Sequence, residues 1–227
     1  YDFVKYVYNR KEFILDGFYT HFAEADSKDK TFTLLQLKRF NEIVAKLKSE
    51  NIKLGLVHAA NSSAMLDIPE SYFDMVRCGI TLYGYYPSLE TSESVKLKPV
   101  MSIESRISTV KEIKPGDTVS YGRKFKAKKK TKIISVPVGY ADGYRRGLTN
   151  KSKAIINGKL YNQVGTVTMD RIMFDAGNDN IKAGDKIIIL GKDKKVSVTA
   201  WDWSKILDTI PYEITCGINK RLTRIYK

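Results

Sequence analysis

Three apolar runs of strand length leave this chain few folds to choose from: "FILDGFYTHF" at 13 to 22, "KLGLVHA" at 53 to 59 and "MVRCGITLYG" at 75 to 84. Between the first two lies "LLQLKRFNEIVAKLKSE", in which Leu34, Leu37, Phe40, Ile43, Val44 and Leu47 recur at helical spacing. A shorter, proline-interrupted connection, "SAMLDIPESYFDM", joins the second run to the third. Strand and helix in alternation, with strands apolar on both faces, predict a parallel sheet covered by helices.

From about residue 95 the pattern changes. "PVMSIESRISTVKEI", "KIISVPVGY", "KAIINGKLYNQVGTVTMD" and "GDKIIILG" are short runs divided by Gly, Pro, Asn and Lys, which predicts an antiparallel β domain. "EIKPGDTVSYG" at 112 to 122 echoes "NIKAGDKIIILG" at 180 to 191, each placing Gly-Asp before a strand. One short helix is predicted at 199 to 208, "TAWDWSKILD". The boundary is expected within "SLETSESVKLK" at 88 to 98, giving an α/β segment over 1–90 and a β segment over 91–227.

At 227 residues the chain can bury a sizeable core. Its net charge of +14 favours acidic ligands in general, and the densest basic run, "KFKAKKKTK" at 124 to 132, reads most simply as a solvated hairpin arm. A noncatalytic nucleic-acid-binding module is the alternative from another class; lysine outnumbers arginine 29 to 10 and no stacked aromatic motif accompanies the charge. Cys78 and Cys216 lie far apart without metal-ligand spacing, which suggests free thiols in a reducing compartment. With no signal-like or membrane-spanning stretch, the expected location is the cytoplasm, with no metal and no membrane partner. The sequence starts at Tyr1, as a processed chain or the tail of something longer would.

The two histidines, His21 and His58, each follow an apolar run and precede small or polar residues. That is where ligands bind in parallel α/β sheets, at the carboxyl ends of the strands. Asn61, Ser62 and Ser63 in "AANSSA" offer hydroxyls and backbone N–H groups suited to a phosphate, although helix capping accounts for them equally. Gly79 would let its backbone approach a ligand, and Arg77 puts a permanent charge on an apolar run, for a ligand or for a structural ion pair.

"GFYTHFAEAD", "VHAANSSA", "VRCGITLYGYYPS", "VSYGRKF", "PVGYADGYRRG", "VGTVTMDRIMFD" and "TIPYEITCGINKRLTR" together resemble the C-terminal half or more of bacterial alanine racemases, in the family's order and with similar spacing. The resemblance implies the last strands of a β/α (TIM-type) barrel followed by an antiparallel β domain that lends residues to the partner in a homodimer. It implies interconversion of L- and D-alanine, dependent on pyridoxal phosphate and supplying peptidoglycan; a serine racemase is the alternative within the family.

Carried onto this sequence, Asn61, Ser62, the backbone of Gly79 and Ile80, and Tyr212 would hold the cofactor's phosphate, and Arg77 would face its pyridine nitrogen. His21 would hydrogen-bond to Arg77, and His58 would support the phosphate loop. Tyr121 matches the catalytic tyrosine, supplied to the partner's site, while Tyr140, Met169 and Asp170 match positions at the substrate entrance or carboxylate. The family's lysine for the cofactor, the second base, has no matching segment here. The expectation is therefore that the first half of the barrel is missing and that this chain alone does not racemise alanine.

Overall fold

The computed structural model describes residues 1–226 and divides into two compact units, Tyr1–Lys98 and Pro99–Lys227. In the first, helix α1 (Asp2–Tyr8) precedes a β–α–β unit: β1 (Gly17–Tyr19), α2 (Thr31–Ser49) and β2 (Leu56–His58), followed by the short helix α3 (Ser62–Asp67). β1 and β2 are parallel, with Tyr19 opposite His58. Helix α2 buries Thr33, Leu37, Phe40, Val44 and Leu47, the face its periodicity predicts, with Leu34 left half-exposed at the first turn. These side chains pack with Val57, Ala59, Ala60 and Ala64, so the core lies directly beneath the loop that follows β2.

The third predicted strand is corrected. Only Met75 bridges to His58, in parallel, and Ile80–Tyr83 forms a 3-10 helix. The reason lies in where the backbone polar groups go. Arg77 N–H donates to the Ala60 carbonyl (2.9 Å) and Gly79 N–H to Ser62 Oγ (2.8 Å), so this segment is satisfied by the loop after β2 instead of by a strand ladder.

The second unit is antiparallel throughout. It contains β3 (Ile103–Arg106), β4 (Thr109–Ile113), β5 (Thr118–Val119), β6 (Phe125–Lys126), β7 (Thr131–Val136), β8 (Lys153–Ile156), β9 (Lys159–Asn162), β10 (Ile172–Gly177), β11 (Lys186–Asp193) and β12 (Val196–Val198). β10, β7 and β4 form one sheet; β12, β11, β8 and β9 form another, with β3 also on β11; β5 pairs with β6. The basic run at 124 to 132 covers β6 and the turn into β7. Helix α4 (Ala200–Leu207) starts on Thr199, whose Oγ1 and Asp202 form a reciprocal cap, and α5 (Pro211–Cys216) starts on a proline, as a first helical turn tolerates.

The echoed Gly-Asp motifs build the same turn twice. Lys114 and Lys182 each donate a backbone N–H to the aspartate three residues on, Asp117 and Asp185, both at 2.8 Å. Gly116 and Gly184 take φ 93 and 91, the left-handed position that a type II turn requires.

Candidate functional site

The first unit gathers its site at the end of β2. Asn61 Oδ1 accepts the Ala64 N–H at 3.0 Å and caps α3, which sets the loop. Ser62, 4% exposed, accepts from Gly79 N–H (2.8 Å) and from Thr81 Oγ1 (3.2 Å). With two bonds accepted, the Ser62 hydroxyl hydrogen is left to donate. The N–H groups of Ile80 and Thr81 open the 3-10 helix and have no acceptor within it. Hydroxyl and backbone donors side by side, without a carboxylate among them, suit a phosphate. Gly79 thus serves by anchoring Ser62, its own N–H being taken.

Arg77 is held from several directions. Nη2 lies 3.0 Å from the Thr20 carbonyl, 3.1 Å from the Ala59 carbonyl and 3.2 Å from His21 Nδ1, and Nη1 lies 2.6 Å from His58 Nδ1. A guanidinium only donates, so both imidazoles accept through Nδ1. His21 therefore meets Arg77 as the resemblance implies. His58 makes the shorter contact to Arg77 and stacks on Tyr19 at 5.0 Å. Burial first, and the Arg77 charge second, hold the His58 pKa below its ordinary value, which keeps the ring neutral and able to accept. Tyr19, also beneath the guanidinium at 5.0 Å, and Thr20 were not singled out from sequence; their place in the "GFYTHF" run with His21 was the available signal. Arg77 Nε–H and the second Nη1–H make no hydrogen bond among the described residues, so two donors of a firmly oriented guanidinium remain for a ligand acceptor.

In the second unit Tyr121, Tyr140, Met169 and Asp170 line one open recess of about 510 Å³. Arg146, Thr166, Val167, Thr168 and Arg171 complete the lining, so two cations missed from sequence face it; Arg146 belongs to the quoted "GYADGYRRG". Two loops build the wall. Tyr140 N–H donates to the Thr168 carbonyl (3.0 Å) and Ala141 N–H to that of Met169 (3.1 Å). Gly139 permits this, because a Cβ there would collide with the carbonyl oxygens of Met169 and Thr168. Arg221 spans Asp170 at 2.8 Å and the buried Asp142 at 3.6 Å. Tyr212 stands on α5 in this second unit, while the other residues expected at the phosphate are in the first.

The first unit is thus an α/β unit with a donor-lined loop beside a fixed arginine, and the second an antiparallel β unit with a tyrosine- and arginine-lined recess. Comparison with known proteins gives the family. Residues 2–87 match the alanine racemase N-terminal domain and residues 100–226 the alanine racemase C-terminal domain. The chain belongs to the alanine racemase family. It is 45% identical over 213 residues to alanine racemase from Clostridium perfringens, covering 93% of this chain and 55% of that protein. Among solved structures, alanine racemase from E. faecalis superposes with a TM-score of 0.92 at 33% identity, over 99% of this chain and 59% of that one. Alanine racemase from Bartonella henselae with covalently bound pyridoxal phosphate gives 0.81 at 29% identity, over 93% and 56%. The chain thus spans about half the length of the curated relatives it matches. No helix among the described residues is long and apolar enough to cross a membrane.

Proposed function

We propose that this chain forms the phosphate- and ring-binding part of an alanine racemase, together with a β domain that serves the partner subunit of a cytoplasmic homodimer. The observation that carries the reading is Arg77: contacts with four residues fix its guanidinium and leave donors, Nε–H among them, available to an acceptor such as a pyridine nitrogen. Ser62, with the N–H groups of Ile80 and Thr81, holds the phosphate. When bound, pyridoxal phosphate delocalises the charge left at the α-carbon as its proton departs. An arginine does not readily protonate the ring nitrogen, and this restrains side chemistry that a carboxylate partner would promote.

Tyr121, offered to the partner's site, takes or returns the α-proton on one face, and a lysine from a segment that this chain does not span does so on the other. Arg146, Arg171 and the Met169–Asp170 turn steer the substrate carboxylate. The product, D-alanine, serves peptidoglycan synthesis.

The test incubates the chain with pyridoxal phosphate, reduces with borohydride, maps pyridoxyl-lysine by mass spectrometry and assays racemisation on the same sample. The chain alone should show no single modified lysine and no turnover. Adding the N-terminal barrel half of a family member should give both. A uniquely modified lysine and turnover from the chain alone would overturn the division of labour, and inactivity of the complemented protein would overturn the function.

A further inference from the structure

Tyr121 stands on backbone that an ordinary side chain does not adopt unaided. Ser120, just before it, has φ 66 and ψ −179, a region populated essentially by glycine. Gly122 and Arg123 follow at φ 67 and 50. Two hydroxyls hold this conformation from opposite sides. Ser120 Oγ donates to the Thr166 carbonyl (2.7 Å), and Thr166 Oγ1 donates back to the Tyr121 carbonyl (2.6 Å).

The clasp has a firm base. Thr166 is 2% exposed, and the residue before it is pinned on both sides: Gly165 N–H donates to Asn150 Oδ1 (2.6 Å), and its carbonyl accepts from the buried Gln163 Nε2 (2.7 Å). The phenol, by contrast, is largely exposed and makes no hydrogen bond among the described residues. Its location is therefore set by the backbone beneath it.

We propose that Ser120 and Thr166 are positioning residues for Tyr121, a reciprocal hydroxyl clasp that holds the strained turn and so aims the phenol at the reacting carbon. The inference rests on the reading of Tyr121 as one of the two proton-transfer groups. Thr166→Val keeps the shape of the side chain and removes its donor, whereas Thr166→Ser keeps the donor. Without it, the carbonyl of Tyr121 loses its partner and the turn can relax toward ordinary dihedrals.

Two measurements test this. Amide hydrogen exchange of the chain over residues 118–126 should be faster in Thr166→Val and return to the wild-type rate in Thr166→Ser. The second measurement uses the cofactor-loaded holoenzyme that contains this chain. There kcat/KM should fall on the order of tenfold in Thr166→Val, a scale expected when a reacting group is displaced by a fraction of an ångström to one. Because racemisation has an equilibrium constant of one, kcat/KM falls alike for both enantiomers. The α-deuterium isotope effect does not. It should rise with the enantiomer whose proton Tyr121 removes and fall with its mirror image, and Thr166→Ser should restore both.

Unchanged exchange overturns the clasp. Lost activity with unchanged isotope effects also overturns it, since a merely structural defect lowers the amount of active protein without making one proton transfer slower. A wild-type holoenzyme that does not racemise overturns the functional reading itself, and the inference with it.

Discussion

Arg77 Nη1 lies 2.6 Å from His58 Nδ1, at the point where β2 ends and the phosphate-suited loop begins. The bond ties the guanidinium to the sheet through an imidazole that is stacked on Tyr19. Lysine cannot reproduce it, because one ammonium cannot reach His58, His21, Thr20 and Ala59 together in the planar geometry of the fork. Arg77→Lys is expected to weaken retention of pyridoxal phosphate by about tenfold or more, the scale of one charge-assisted hydrogen bond. Equilibrium dialysis of the cofactor from the holoenzyme checks it.

The same contact makes the fold sensitive to acid. The His58 pKa is lowered in the folded protein by burial and by the Arg77 charge, so below the ordinary histidine value the unfolded chain binds the proton more readily than the folded one. The stability that depends on neutral His58 is complete above about pH 6.5 and is lost as pH falls from there toward the lowered folded value. The urea midpoint should drop between pH 7.5 and 5.5 in the wild type. His58→Asn, which keeps an acceptor and does not titrate, should show a smaller drop; equal drops would assign the acid sensitivity elsewhere.

Gly139→Ala tests the recess. The new methyl would overlap the carbonyls of Met169 and Thr168, which are backbone and cannot swing aside, so the two loops must separate. A loss of roughly 1–3 kcal/mol is expected, typical of overpacking. Denaturant unfolding should show it, with faster amide exchange at residues 140, 141 and 168–171.

Deeper in the second unit, Tyr144 is 1% exposed, hydrogen-bonds through its hydroxyl to the buried Ser152 and meets Trp203 edge-on at 5.0 Å. Tyr144→Phe keeps the ring contact and strands the Ser152 hydroxyl, at a cost of about 1–3 kcal/mol. Tyr144→Phe with Ser152→Ala, which removes both polar partners, should recover part of that loss in the same unfolding experiment.

Much of this was legible from short stretches. The helix over 31–49 follows from its apolar spacing, the paired turns at 114–117 and 182–185 from Lys, Gly and Asp at fixed offsets, and the Asn61 cap from its place before Ser-Ser-Ala. In each case the determining interactions reach only a few residues along the chain. The order of the motifs was likewise readable, and with it the family and the candidate residues around Arg77 and Tyr121.

What lay beyond the sequence were contacts between distant residues. The run at 75–84 is as apolar as a strand, yet its backbone groups find Ala60 and Ser62 and the run becomes a bridge and a 3-10 turn. His58 could have faced the loop or the arginine; in the folded chain it stacks on Tyr19 and contacts Arg77. Nothing local marks Thr166 as the partner of Tyr121, since they stand far apart in sequence and meet only because the segment at 164–166, between β9 and β10, packs against Val119 and Ser120. The sequence by itself determined the order of an α/β segment before an antiparallel β segment, the helix over 31–49, the paired turns and the family, because those depend on local propensity and pattern. Which donor meets which acceptor was decided by tertiary structure, since buried polar groups must find partners wherever packing brings them.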